Sequence, residues 1–196
     1  PPRLVSMNYV FANLPEPLKI LKDIEKFSDQ NTIISILTGY HPAQLEVAMF
    51  DYVYHEHLSY YSCSDFKHMA ESIGFVITYC REVPLKGGSI HIEMRKAGPG
   101  VKQSTLFTTM SKRESWLDHP CARQWENISA QIKNTGEQTR ATINKARGDG
   151  YSIVGYGASH STTTLAYALG IETALDLIID DNPSKQSRYS PGAGIP

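Results

Sequence analysis

Apolar positions divide the chain into short segments of changing periodicity. Leu4 to Phe11 is an apolar run that predicts a strand. Behind Pro15-Glu16-Pro17, Leu18, Leu21, Ile24 and Phe27 recur at helical spacing and predict a helix. Thr32 to Leu37 is β-branched and uncharged, the pattern of a strand covered on both faces in a parallel sheet, and Gly39-Tyr40-His41-Pro42 ends it. From Ser62 to Gly74 the apolar stripe is Phe66, Met69 and Ile73, with Ser64 or Asp65 available as N-cap and Gly74 at the stop position, so a helix is predicted. Phe75 to Pro84 and Ser89 to Lys96 are rich in β-formers. They flank Lys86-Gly87-Gly88, whose glycines suit the positive φ of a hairpin.

The stretch from about Ser111 to Arg147 is polar and poor in turn formers, with Trp116, Trp125, Ile128, Ile132 and Ile143 along it. It predicts one or two long helices. After Gly148-Asp149-Gly150 the pattern gives a strand over Tyr151 to Val154, the turn Gly155-Tyr156-Gly157 and a helix over Thr162 to Leu169. A strand over Leu175 to Ile179 follows and ends on Asp180-Asp181-Asn182-Pro183, which completes one βαβ unit.

The expected class is α/β: the tail of a Rossmann-like SAM methyltransferase sheet, which closes on a late parallel strand and an antiparallel one, followed by a helical linker and a second Rossmann-like domain. The expected divisions are residues 1–97, 98–150 and 151–196. The glycine-rich turn and ribose-binding acid that open such a sheet do not precede Leu4. With Pro1-Pro2-Arg3 at one end and Ile195-Pro196 at the other, the sequence reads as an excised piece.

Composition narrows the chemistry. With 196 residues, 41% hydrophobic and 20% charged, there is apolar material for one full core or two small ones, which excludes a disordered segment. A net charge of −1 and a pI of about 6.8 provide no broad positive field, so small molecules are expected as partners rather than nucleic acid or a membrane surface. Cys63, Cys80 and Cys121 are odd in number and lack CxxC spacing, against both a disulfide framework and a structural zinc. No run reaches the roughly 20 apolar residues of a membrane span. A cytoplasmic location is expected.

The densest group of reactive side chains is Tyr52-Val53-Tyr54-His55-Glu56-His57-Leu58-Ser59-Tyr60-Tyr61. In an extended backbone His55 and His57 share a face and suit a metal. In a helical turn Tyr54 and His57 converge, which suits proton abstraction beside a carbonyl: His57 takes the proton, Tyr54 donates to the enolate oxygen and Glu56 orients the imidazole. A third metal ligand is not evident nearby, and a bland alternative is aromatic and histidine side chains that only pack on one another.

Four stretches in order resemble the NDP-sugar C-methyltransferases of deoxysugar and surface-polysaccharide biosynthesis. They are Asn8-Tyr9-Val10-Phe11-Ala12-Asn13-Leu14-Pro15, Tyr54-His55-Glu56-His57-Leu58-Ser59-Tyr60, Gly87-Gly88-Ser89, and Gly155-Tyr156-Gly157-Ala158 with Asp181-Asn182-Pro183-Ser184-Lys185-Gln186 and Pro191-Gly192. The resemblance implies an N-terminal zinc-binding domain, a central SAM-binding domain and a C-terminal Rossmann-like domain, with the nucleotide-sugar between the last two; zinc is expected only in the N-terminal domain. It implies Tyr54, Glu56 and His57 as active-site residues, with His57 as the favoured base. Asn8, Phe11 and Asn13 are expected at the cofactor, and His55, Lys86, Gly87, Gly88, Gly155, Tyr156, Gly157, Lys185 and Arg188 at the substrate. Two departures stand out: Asn13 replaces a histidine usual in the family and can only hydrogen-bond, and Lys86 stands where a histidine is common before the two glycines.

The turn Gly155-Tyr156-Gly157-Ala158-Ser159-His160 is similar to a dinucleotide fingerprint, but His160 occupies its third small position. Two uses remain open: a tight strand-to-helix turn, or amides facing a ligand phosphate with Lys185 and Arg188 beside them. The leading expectation is methyl transfer from SAM to a carbon beside the keto group of an NDP-4-keto-deoxysugar. The alternatives are an NAD-dependent oxidoreductase, kept open by Asp180 or Asp181 at the strand end, and a non-catalytic sugar-nucleotide-binding module.

Overall fold

The computed structural model describes residues 1–114 and 122–196, the side chains of 122–124 excepted. Residues 115–121, with Trp116 and Cys121, lie near the start of the stretch predicted as long helices and fall outside the described residues. The chain divides into two compact units, Pro1–Val47 with His55–Cys121, and Ala48–Tyr54 with Ala122–Pro196.

In the first unit the order is β1 (Leu4–Asn8), a single 3-10 turn (Phe11–Asn13), α1 (Pro17–Lys26), β2 (Ile33–Gly39), α2 (His41–Glu46), α3 (Cys63–Ser72), β3 (Phe75–Val83), β4 (Ser89–Lys96) and α4 (Thr105–Arg113). The sheet order is β1-β2-β4-β3, with β1 parallel to β2 and β4 antiparallel to both of its neighbours. The last strand therefore inserts between β2 and β3, and β1, β2 and β3 run the same way. Alternation along the strands sends Ile34 and Ile36, Ile77, and Ile90, Ile92 and Met94 to one face, where they are buried with Leu21, Phe66 and Phe107 from α1, α3 and α4. Each such side chain contributes about 1.5–3 kcal/mol on burial. On the opposite face Ser35 and His91 meet instead, Oγ to Nε2, at 2.9 Å.

Local chemistry moves several boundaries from their expected places. The first strand ends at Asn8 rather than Phe11, because Tyr9 takes a φ of 52°, which no strand residue adopts. The N-cap of α3 is Ser62, not Ser64 or Asp65: its hydroxyl accepts from the Asp65 amide, and the Asp65 carboxylate accepts from the Ser62 amide at 2.8 Å, a reciprocal capping box. The helix α2 was not expected; Pro42 in its first turn is the signal for it. Ser104 caps α4, whose Phe107 is fully buried.

The second unit contains α5 (Ala122–Gly148), β5 (Val154–Tyr156), α6 (Thr162–Leu169) and β6 (Leu177–Ile179), and β5 pairs with β6 in parallel. β5 starts three residues later than Tyr151, since the Ile153 amide is taken by the Asp176 carboxylate at 2.7 Å. α5 and α6 approach closely at Gly136, where a Cβ would stand 2.9 Å from the Leu169 carbonyl oxygen, which accepts from the Arg140 guanidinium. No helix among the described residues is long and apolar enough to cross a membrane.

The capping assignment is directly testable by urea denaturation. Ser62→Ala is expected to lower stability by about 1 kcal/mol, whereas Ser64→Ala should leave it within about 0.5 kcal/mol. Equal losses would mean that Ser62 is not the cap.

Candidate active site

Strand direction creates a meeting point of loops in the first unit. The carboxyl ends of the parallel strands β1 and β2 share one edge of the sheet, and the pairing of Gly39 with Ser89 sets the β3–β4 hairpin at that same edge. Open α/β sheets bind ligands outside such strand ends.

Hydrogen bonds close these loops into a ring. The Tyr9 amide donates to Leu37 O at 2.7 Å. Ser89 Oγ donates to Leu85 O at 2.8 Å, which leaves Tyr9 OH as donor to Ser89 Oγ at 3.2 Å. Gly88 O accepts from the Tyr40 amide at 3.1 Å, and the His41 amide donates to Tyr61 O at 3.0 Å. Tyr61 OH donates to Phe11 O at 3.3 Å, and Ala12 O accepts from the amides of Leu58 and Ser59 at 2.9 and 3.2 Å. The ring thus returns to the loop that begins at Tyr9.

The expected site residues of this unit lie on or beside the ring. Tyr9 and Lys86 both have left-handed φ, 52° and 51°, which costs a non-glycine residue about 1–2 kcal/mol each. They touch one another, with Lys86 Nζ 3.9 Å from the centre of the Tyr9 ring. Gln44 Nε2 donates to Lys86 O at 3.4 Å. Gly88 has φ of 127°, and a Cβ there would meet Ala43 Cβ at 2.7 Å, so no larger residue fits the turn.

The reactive segment is neither extended nor a helical turn throughout: it bends at Tyr54, turns at His55-Glu56 and is irregular from His57 to Ser62. The His57 ring stands edge-on to Tyr60 at 6.4 Å between centroids, and Tyr60 is tilted against His41 at 5.6 Å. His55 is exposed and Glu56 half-buried. Tyr54 belongs to the second unit, where its ring lies 5.9 Å from His160. Among the described residues no group of three His, Cys, Asp or Glu side chains is placed to hold a metal ion.

SAM is the cofactor that the resemblance implies, and the residues at the end of β1 fit it in part. Asn8 and Asn13 offer exposed amides there. The Phe11 ring is wholly buried against Tyr61 and Phe66 and supports the loop from beneath.

In the second unit the glycine turn is internally bonded. The Gly157 amide donates to Ile179 O at 2.7 Å and the Ala158 amide to Asp180 Oδ2 at 2.7 Å. Lys185 Nζ donates to Ala158 O and to Asp180 Oδ2, at 2.7 and 3.1 Å. Tyr156 is exposed with its hydroxyl donating to Asp181, and Arg188 donates to Ser184 O. Gly155 sits within β5 against Ile178. Asp180 thus organises the turn, accepting from both the Ala158 amide and Lys185.

Sequence reasoning missed a buried carboxylate behind the ring. Glu114 accepts from Tyr40 OH at 2.9 Å and from the Ser64 amide at 3.1 Å, at the amino end of α3. Its burial raises its pKa above the ordinary value near 4.5. Burial also raises the Tyr40 hydroxyl and lowers the His41 imidazole, which is therefore uncharged at neutral pH. A single glutamate after a polar helix carries no sequence signal of this role, because its partners lie 50 and 74 positions earlier.

Two comparisons bear on these residues. The family described as "C-methyltransferase C-terminal domain" matches residues 84–196, more than half of the chain. C-methyltransferase NovU of Streptomyces niveus is 24% identical over 195 residues, which cover 99% of this chain and 46% of NovU. The chain thus spans about half the length of the curated relative it matches.

Glu114 generates a pH prediction. A carboxyl whose folded pKa is raised contributes stability that is complete below about pH 4.5 and is lost as pH rises through the folded value. Thermal melting between pH 4 and 8 should show this loss in the parent and not in Glu114→Gln, taken as the difference between the two. Parallel curves would contradict the assignment.

Proposed function

Since the chain belongs to the C-methyltransferase C-terminal domain family, we propose that it serves the transfer of a methyl group from SAM to the carbon beside the keto group of an NDP-4-keto-deoxysugar. The observation that supports this reading most is the hydrogen-bonded ring of loops at the carboxyl ends of β1 and β2, which includes the segment from His57 to Tyr61. A Rossmann-like relation for both units is part of the same proposal.

The proposed chemistry starts with a carbon acid. His57 takes the proton from the carbon next to the carbonyl and becomes an imidazolium, while the C–H electron pair moves to form the enolate. Tyr54, three positions earlier in the chain, is the proposed hydrogen-bond donor to the enolate oxygen. Glu56 is the proposed partner that orients the imidazole. Lys86, Gly87, Gly88 and His55 are proposed to contact the nucleotide-sugar, and Lys86 brings a cation to a diphosphate. Gly155, Tyr156, Gly157, Lys185 and Arg188 are proposed as substrate-binding residues of the second unit. Asn8, Phe11 and Asn13 are proposed to hold SAM, which supplies an electrophilic methyl group when bound.

Proton abstraction can be isolated from methyl transfer by following exchange of the acidic sugar proton with deuterated water in the absence of SAM, using the full-length protein. A positioned base contributes about 10²–10⁴-fold, so His57→Ala is expected to lose exchange by that factor with nucleotide-sugar affinity within a few-fold. Tyr54→Phe should lose less, since the proton acceptor remains. Exchange by His57→Ala at the parental rate would exclude His57 as the base.

A further inference from the structure

His41 has no place in the chemistry above, yet it packs on the same ring as the proposed base. It is the first residue of α2, separated from the end of β2 by Tyr40 alone, and its backbone is fixed from both sides. Its amide is bonded to Tyr61 O, the preceding Tyr40 is bonded through its amide to Gly88 O and through its hydroxyl to Glu114, and Pro42 follows. Tyr60 is equally constrained, lying between Ser59, whose amide is bonded to Ala12 O, and Tyr61, whose hydroxyl is bonded to Phe11 O.

Both histidines meet Tyr60 at aromatic-contact distances, His41 tilted at 46° and His57 edge-on at 85°. We propose that His41 is a positioning residue for proton abstraction: through the Tyr60 ring it sets the plane of the His57 imidazole. The proposal rests on His57 acting as the base. A general base must come within about 2.6–3.2 Å of the proton's donor atom, and rotation of an imidazole about its own bond moves its nitrogens by more than that tolerance. An edge-on contact with the Tyr60 ring, which also packs against His41, restricts that rotation. Burial keeps His41 neutral, with Asp65 acting in the opposite direction, so His41 adds no second cation beside the imidazolium that forms on His57.

The test compares variants of the full-length protein in the SAM-free deuterium-exchange assay. His41→Ala is expected to slow exchange by about tenfold to a hundredfold with KM for the nucleotide-sugar within twofold. His41→Phe, which retains a flat ring, is expected to restore most of the rate. Tyr60→Leu removes the intermediary and is expected to match His41→Ala, with the double variant no slower than either single one. If His41→Ala does not fold, Tyr60→Leu and His41→Phe decide the matter alone. Parental exchange in His41→Ala or in Tyr60→Leu would overturn the proposal, as would additive losses in the double variant. A His41→Phe variant as slow as His41→Ala would mean that the imidazole itself is needed, which also overturns it. His57→Ala separates the two levels: if it exchanges normally, the base assignment fails, whereas loss there with a silent His41→Ala removes the positioning role only.

Discussion

The antiparallel insertion of β4 between β2 and β3 governs the geometry of the first unit. Once Ser89 is paired with Gly39, the hairpin that precedes Ser89 has to emerge at the carboxyl end of β2. There it meets the loop leaving β1, because β1 and β2 are parallel. The isoleucines of β2 and β4 that set this register are fully buried, so a slip of β4 by one residue would turn Ile90 and Ile92 to the opposite face, at a cost of several kcal/mol. The register that makes the core thus also fixes which loops can touch.

Those loops are arranged at a local cost that the core makes tolerable. Tyr9 and Lys86 occupy left-handed backbone, and Gly88 is pressed against Ala43. Cation–π contact between Lys86 and Tyr9 returns about 0.5–2 kcal/mol. Behind them Glu114 is a buried acid held by the amino end of α3 and by Tyr40. Strain of this kind clusters where a ligand or a reaction requires fixed backbone, and here its two members contact each other at the strand ends.

Much of the first unit was legible in the sequence. The β-branched run ending at Leu37, the stripe of Phe66 and Met69, and the Lys86-Gly87-Gly88 hairpin are signals of periodicity and turn chemistry that act over a few residues. The misses have a common cause. Tyr9 breaks its strand through a backbone angle that tyrosine does not advertise, and Asp65 acts as the third residue of a helix rather than as its cap. The ring of hydrogen bonds joins positions up to 80 apart, as between Tyr9 and Ser89, and no local pattern encodes such a contact. The motif around His57 was visible as a density of reactive side chains, but the Tyr60 ring that receives both His41 and His57 was not, since His41 lies in a helix the sequence reading passed over.

The most direct test of the account is a crystal structure of the full-length protein with an NDP-4-keto-deoxysugar bound in the absence of SAM. The account predicts the sugar at the carboxyl ends of β1 and β2, the carbon beside its keto group about 3–3.5 Å from a nitrogen of His57, and that imidazole still edge-on to Tyr60. A sugar bound on the opposite face of the sheet near Ser35 and His91, or one whose acidic carbon faces a base other than His57, would contradict it.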